Sequence, residues 1–159
     1  MKNLLLTLIV LTFLLSCKKE NNYENDSELC KVLAEMTESD QRIRNLPELK
    51  NGIERVKDSL WKIQNQIDKK NTELLIGITK KRGWVSKKEL GCTEYISPVV
   101  IFRHSPKEFW EEIRPLIEKE YFEKRMTKGD YGFIDNHLKG RPPLDLNFFN
   151  GIEAEIKTE

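Results

Sequence analysis

The chain has 159 residues, with 27 Lys and Arg against 26 Asp and Glu, which gives a formal net charge of +1. This length fits one domain that can bury a hydrophobic core, and it leaves no room for a second large domain. The balance of charge argues against a protein whose main task is to neutralise phosphates, so nucleic acid is not an expected partner.

The N-terminus has the pattern of an export signal. Lys2 supplies a positive charge, and residues 4–15 are apolar except for two threonines. A membrane-spanning helix needs about 20 apolar residues, so this run is too short and matches the apolar region of a signal peptide. The junction Leu14-Leu15-Ser16-Cys17 resembles the lipobox of bacterial lipoproteins, in which a peptidase cuts before a Cys that carries a diacylglyceryl group. The resemblance implies that residues 1–16 are removed and that Cys17 is acylated.

The same resemblance implies a cellular location. Two acyl chains already hold a protein stably on a membrane, and lipoproteins of this kind carry three, so we expect lasting membrane attachment through Cys17. Position 18 is Lys rather than the Asp that retains lipoproteins in the inner membrane, which favours the outer membrane, on its periplasmic or its surface face. Residues 17–26 are then the acylated Cys and a flexible tether, and residues 27–159 form a single helical domain.

Two further cysteines, Cys30 and Cys92, are open to two interpretations. In an oxidising compartment they could form a disulfide, which would close a long loop and contribute about 4 kcal/mol. Alternatively, both are small buried apolar residues. No C-x-x-C pattern or His cluster accompanies them, so the sequence predicts neither a metal site nor a cofactor.

Helical periodicity dominates the rest of the chain and predicts a mainly α fold, a compact bundle of about five to six helices. Asp26 or Ser27 can cap a first helix, whose apolar residues recur at i, i+3, i+4 and i+7. Further helix signals are N-terminal caps and C-terminal glycine stops. The caps are Ser86, Ser105 and Asn71, and the stops are Gly83 and Gly140, the latter ending a helix from Asp130 to Leu138.

Three segments carry less regular signals. Residues 96–103 suit a strand as well as a helix. Pro115 lies within a helical pattern and should kink or split that helix. Apolar residues alternate in the tail at Leu144, Leu146 and Phe148, which predicts an extended C-terminal strap along the bundle.

The strongest periodic signal is a heptad stripe, in which apolar residues are spaced 4, 3, 4, 3 and 4 apart. Such a stripe is typical either of a bundle helix that faces the core or of a coiled coil that binds a partner. Because the pattern spans fewer than three full heptads, we expect it to face the core. The heptad stripe consists of Leu49, Ile53, Val56, Leu60, Ile63 and Ile67.

Polar landmarks follow one another along the chain in a recognisable order. They are Asp40-Gln41, Arg44, Asp68, Asn71, Gly83-Trp84, Gly91 and Arg103-His104. These landmarks and their order resemble an uncharacterised family of bacterial domains of unknown function, over about residues 28–138. The resemblance implies a predominantly helical fold behind an export signal, with no established activity. The family usually shows an Asp-Arg pair in its last helix and a C-terminal Gln-x-Tyr-Gly-Thr-Gln stretch, whereas here Asp135 precedes Asn136 and residues 141–149 lack that stretch.

Several of these landmarks are candidate site residues. His104, with Asp40 or Asp68 brought close by the fold, could act as a general base, or it could order a helix end locally. Arg44 could bind an anionic ligand through its planar fork of donors, or it could pair with a carboxylate such as Asp68. Asn71 and Trp84 complete the candidate binding residues, and five basic residues around Trp84 form either a membrane-contacting patch or a solvated helix end.

Motifs for acyl transfer, phosphate binding and zinc proteolysis are absent from the sequence. The leading hypothesis is therefore a lipid-anchored envelope protein that binds a protein or a surface component. One alternative is a hydrolase of envelope material that uses His104 with Asp40 or Asp68. Another alternative is an immunity-type inhibitor protein.

Overall fold

The computed structural model describes residues 23–143, and this part of the chain is a helical bundle without β-strands, as predicted. The predicted strap around Leu146, the signal peptide and Cys17 lie outside the described residues. Two of the helices are single turns, so the longer five form the body of the bundle. In chain order the elements are α1 (Asp26–Arg44), α2 (Pro47–Asn51), α3 (Glu54–Arg82), α4 (Lys87–Leu90), α5 (Pro98–Arg103), a 3-10 turn (Lys107–Phe109), α6 (Trp110–Phe122) and α7 (Lys128–Leu138).

The core forms where α5 packs against three longer helices. It contacts α1, α3 and α7, while α6 packs against α7 and α3. α1 and α3 are antiparallel, because Arg82 at the end of α3 binds Asp26 at the start of α1, whereas Arg44 at the end of α1 binds Asp68 in the middle of α3. Segment 96–103 suited either structure. Its residues 98–103 are helical, because Pro98 begins α5 and the apolar side chains Ile101 and Phe102 fill the centre of the core.

A disulfide between Cys30 and Cys92 joins α1 to the loop after α4. Their Cα atoms lie 5.5 Å apart, although 62 positions separate the two residues in the sequence. On the chain-entropy model, a loop of this length restricts the unfolded chain enough to contribute about 4 kcal/mol. Of the two interpretations of these cysteines, the structure contains the disulfide.

The folded domain begins earlier than the sequence indicated. The side chain of Asn25, rather than that of Asp26 or Ser27, caps α1 by accepting a hydrogen bond from the Glu28 backbone N–H at 3.1 Å. Arg82 donates hydrogen bonds to the carbonyl oxygens of Tyr23 and Glu24. Residues 23–26, expected to belong to the tether, are therefore fixed to the C-terminal end of α3.

The heptad stripe does not face the core, and that prediction is wrong. None of its six residues is buried, and the exposed fraction reaches 66% at Ile53 and 48% at Ile63. The buried positions of α3 instead begin at Gln64 and continue through Asp68. They follow Ile63 and Ile67 by one residue, which is about 100° around the helix. Polar groups on α1 bind the buried polar residues of α3, which we call its polar strip. This contact places the polar strip toward α1 and leaves the apolar stripe outside the core.

Three other local predictions are also corrected. α3 runs unbroken through Asn71, whose side chain bonds to α1 instead of capping a new helix. Ser105 does not cap α6, because its hydroxyl donates to the Phe102 carbonyl and the chain passes through a 3-10 turn first. Of the kink or split predicted at Pro115, the split is excluded, because α6 is continuous from Trp110 to Phe122. The Ser86 cap and the stops at Gly83 and Gly140 are confirmed.

A buried carboxylate closes the end of α3. Glu120 accepts hydrogen bonds from Arg125 at 2.6 and 2.8 Å and from the backbone N–H of Trp84 at 2.7 Å. Burial alone would raise the pKa of Glu120, but these bonds outweigh it and hold the pKa below its usual value. Gly83 turns the chain beneath this ion pair with a φ of 80°, a backbone conformation that disfavours any side chain.

Two glycine substitutions should have opposite effects on stability. A Cβ at Gly83 would lie 2.8 Å from Arg125 Nε and 3.0 Å from Glu120 Oε2, so Gly83→Ala should lower the free energy of unfolding by about 2 kcal/mol or more. Gly77, within α3, has nothing within 4 Å of its Cβ position, so Gly77→Ala should raise stability by up to about 1 kcal/mol. Urea unfolding of both variants checks this expectation, and equal effects would contradict it.

Candidate functional site

The structure brings His104 and Asp40 together. His104 follows the last residue of α5, and its Nδ1 lies 2.8 and 2.9 Å from the two carboxylate oxygens of Asp40 on α1. Asp40 is almost fully buried, whereas the His104 side chain keeps 23% of its surface exposed. Of the two acids considered as partners of His104, Asp40 is the one in contact with it.

Asp68 belongs to the same cluster but binds other groups. Arg44 Nη2 donates to one oxygen of Asp68 at 2.6 Å, and Gln64 Nε2 donates to the other at 2.7 Å. Arg44 Nε also lies 3.6 Å from Asp40, so this guanidinium links the two carboxylates. Arg44 therefore pairs with an internal carboxylate, the second of the two roles considered for it. We call Asp40, Arg44, Gln64, Asp68 and His104 the polar cluster.

An open cavity of about 450 Å³ lies beside the polar cluster. Small-molecule sites usually have volumes of roughly 300–1,000 Å³, so this cavity falls within that range. An ion pair between Lys69 and Glu108, at 2.7 Å, joins α3 to the 3-10 turn at the cavity wall. The residues that line the cavity are Asn65, Gln66, Asp68, Lys69, His104, Pro106 and Glu108.

The hydrogen bond to Asp40 determines which nitrogen of the His104 ring is available to a ligand in the cavity. A carboxylate that accepts from Nδ1–H leaves the opposite nitrogen, Nε2, as the basic atom of a neutral imidazole. Nε2 bonds to no protein group within residues 23–143 and is available to a ligand or to water. The lining offers no Ser, Thr or Cys nucleophile, so a reaction here would use water, which His104 could deprotonate.

The second histidine, His137 in α7, has both ring nitrogens bound by protein groups, unlike His104. It is buried, its Nε2 lies 2.9 Å from the Ser105 carbonyl oxygen, and Arg141 Nε donates to its Nδ1 at 3.1 Å. Because Nδ1 accepts, Nε2 must carry the proton, and the ring is neutral. Burial lowers the pKa of His137, and the positive charges of Arg141 and Arg103 lower it further against the opposing bond to Ser105.

The remaining candidate binding residues lie away from the cavity lining. Asn71 is buried and donates to the Met36 carbonyl and the Ser39 hydroxyl, which holds α3 against α1. Trp84 keeps only 2% exposure and its ring contacts Phe102 in the core, so it presents no surface to a ligand. Of the basic residues around it, Lys80 pairs with Glu112 and Arg82 pairs with Asp26.

Sequence reasoning missed several polar residues that complete the structure. Gln64 donates to Asp68, and Glu120 with Arg125 supports the Gly83 turn. Gln64 and Asp68 lie four residues apart on one helix face, a spacing that predicts a side-chain pair. Arg125 follows a helix end, and nothing in the pattern indicates that its partner is buried.

No protein-family model, curated protein or solved structure matches this chain. The resemblance to an uncharacterised domain family, based on the polar landmarks, therefore stays a prediction. Between residues 23 and 143, no helix combines the length and the apolar character needed to cross a bilayer. The same part of the chain contains no group of three or more His, Cys, Asp or Glu that could hold a metal ion.

The buried neutral state of His137 predicts a pH dependence of stability. Below about pH 6.5 the unfolded chain takes up a proton that folded His137 does not, so the free energy of unfolding should fall as the pH decreases from about 6.5 to 5. His137→Gln can still donate to the Ser105 carbonyl and cannot titrate, so the fall should be smaller in this variant. Urea unfolding across this pH range measures the difference, and parallel curves would contradict the expectation.

Glu120 affects the pH dependence of stability only at lower pH. A carboxylate with a lowered pKa stabilises the fold at higher pH, and this stabilisation is lost as the pH falls below about 4.5.

Proposed function

We propose that the protein is lipid-anchored in the cell envelope through Cys17 and that its helical domain binds a polar ligand in the cavity beside His104. One observation carries the proposal: Asp40 holds the His104 ring from a buried position, while the exposed part of the ring lines the cavity. A group fixed in this way loses little conformational entropy when it binds a ligand.

Energetic reasoning supports a functional role for the polar cluster. Buried ion pairs recover their desolvation cost only with difficulty, and apolar residues of similar volume often give equal or greater stability. Asp40 and Asp68 are both nearly fully buried and need four polar partners between them. Stability alone gives little reason to place two carboxylates, a guanidinium and an imidazole beside a cavity.

The disulfide supports a location outside the cytoplasm. Disulfides persist in oxidising compartments and are rare in the reducing cytosol. The bond between Cys30 and Cys92 is independent of the lipobox, because it depends on the tertiary structure and not on the N-terminal pattern. Both features are consistent with export to the envelope, and the outer membrane is the location that Lys18 favours.

The attachment point and the cavity lie at different levels of the bundle. Arg82 fixes the chain at Tyr23, whereas Asp68 at the cavity lies 14 positions earlier in α3. At 1.5 Å per residue this separation is about 21 Å along the helix axis. A tether that leads to lipid would thus leave the domain well away from the cavity, which would stay accessible to ligands.

A second candidate function is hydrolysis of an envelope component. The contact of 2.8 Å between His104 and Asp40 favours it, since a buried carboxylate that orients an imidazole is the arrangement of many general bases. His104 would remove a proton from water at Nε2, and Asp40 would stabilise the imidazolium that forms. Both candidates use the same cavity and differ in whether the bound ligand is cleaved.

The anchor is tested on the protein isolated from its native membranes. Intact mass should correspond to a chain that begins at Cys17 and carries an added acyl mass, and the protein should partition into detergent. Cys17→Ala should leave an uncleaved, unacylated precursor. A mature wild-type Cys17 without lipid mass would contradict the anchor and, with it, the envelope location.

The cavity is tested by photo-crosslinking in intact envelopes, with a photoreactive amino acid in the full chain at Pro106, which lines the cavity. His104→Asn is the decisive variant, because its amide can replace Nδ1 toward Asp40 but has no counterpart of Nε2. We expect adducts with wild-type His104 and about tenfold fewer with His104→Asn, as the loss of one hydrogen bond near 1.4 kcal/mol implies. A photoreactive group at the exposed Phe122 is the control.

Two outcomes separate the candidate functions. Intact ligand on His104→Asn and cleaved ligand on the wild type would establish the hydrolase. Intact ligand on the wild type would establish binding without cleavage. Equal capture by both chains, with the same melting temperature, would show that the cavity is not the site.

A further inference from the structure

A partly exposed tryptophan lies on α3 close to the cavity. Trp61 keeps 43% of its surface exposed, and the guanidinium of Arg44 lies over its ring, 5.7 Å from the centroid. Trp61, Asn65 and Asp68 follow one another at spacings of four and three residues and so share one face of the helix. Asn65 and Asp68 line the cavity, so Trp61 lies about one helical turn from its lining.

The charges around the surface of Trp61 and the cavity lining disfavour charged ligands of either sign. Asp68 and Glu108 line the cavity and Asp40 lies behind it, so an anion would meet three carboxylates. A cation would approach Trp61 beside the Arg44 guanidinium, which already lies over that ring. All three carboxylates are also paired internally with Arg44, Lys69 or His104. What the surface offers to a ligand is therefore hydrogen bonding and one aromatic face.

We propose that the ligand is an uncharged oligosaccharide that carries acetamido groups, a proposal that rests on the cavity being the binding site. One face of a sugar ring is lined with C–H groups and packs on an indole, while its edge carries hydroxyl groups that bond to carboxylates, amides and imidazole. The acetamido group pairs a donor with an acceptor, as the side-chain amides of Asn65 and Gln66 do. Trp61 is the stacking platform, and Asn65 and Gln66 read the acetamido group.

The test is a titration of the full-length protein in detergent with triacetylchitotriose. Binding is measured by calorimetry and by tryptophan fluorescence. We expect saturable binding that Trp61→Ala weakens about tenfold and that Trp61→Phe weakens much less, because Phe keeps an aromatic face. Tyr95→Ala removes an aromatic residue that is 70% exposed elsewhere and should leave the affinity unchanged. Cellotriose, which lacks acetamido groups, should bind more weakly than triacetylchitotriose.

The outcomes distinguish this proposal from the proposed function. If photo-capture at Pro106 depends on His104 while triacetylchitotriose does not bind, the oligosaccharide assignment is wrong and the cavity remains the site. If triacetylchitotriose binds with equal affinity to the wild type and to both Trp61 variants, Trp61 is not the platform and the proposal fails. Binding of cellotriose with equal affinity would overturn the role of the two amides.

Discussion

Two carboxylates buried between α1 and α3 impose the main constraint on this structure. Asp40 and Asp68 cannot lose water without charged or hydrogen-bonding partners, and each finds them on a different helix. Asp40 binds His104, which follows the last residue of α5. Asp68 binds Arg44, the last residue of α1. The antiparallel pairing of α1 with α3 and the position of α5 both follow from satisfying these two groups, as does the location of the cavity beside them.

The cluster also determines where the hydrophobic core ends. The strip of α3 that faces inward is polar from Gln64 to Thr72 and apolar from Leu75 onward except for Thr79, so it contacts first the polar cluster and then the core. The part of α3 before Gln64 extends beyond both and has no buried residue. Trp61 is exposed for this reason, and its proximity to Arg44 connects the extended part of the helix with the cavity.

The opposite end of the bundle carries structural rather than site features. Three structural contacts lie near the C-terminus of α3. They are the disulfide, the ion pair of Glu120 with Arg125, and the hydrogen bond from Arg82 to the Tyr23 carbonyl. His137 is likewise fixed in a buried neutral form by two hydrogen bonds. The two histidines therefore differ in what they can bind. Both nitrogens of His137 bond to protein groups, whereas His104, among the described residues, uses only Nδ1 for such a bond and lines the cavity.

The sequence by itself determined the helical class and several helix ends, because caps, glycine stops and periodicity are local properties. It also supplied every residue of the polar cluster except Gln64 as a candidate. Only the tertiary structure decided that His104 pairs with Asp40, that Trp84 lies in the core and that the heptad stripe faces outward. Periodicity reports that a helix has an apolar face but not what that face contacts. Here Arg44 and Gln64 supply hydrogen bonds to the buried Asp68 carboxylate, so the polar strip of α3 faces inward and Ile63 stays exposed.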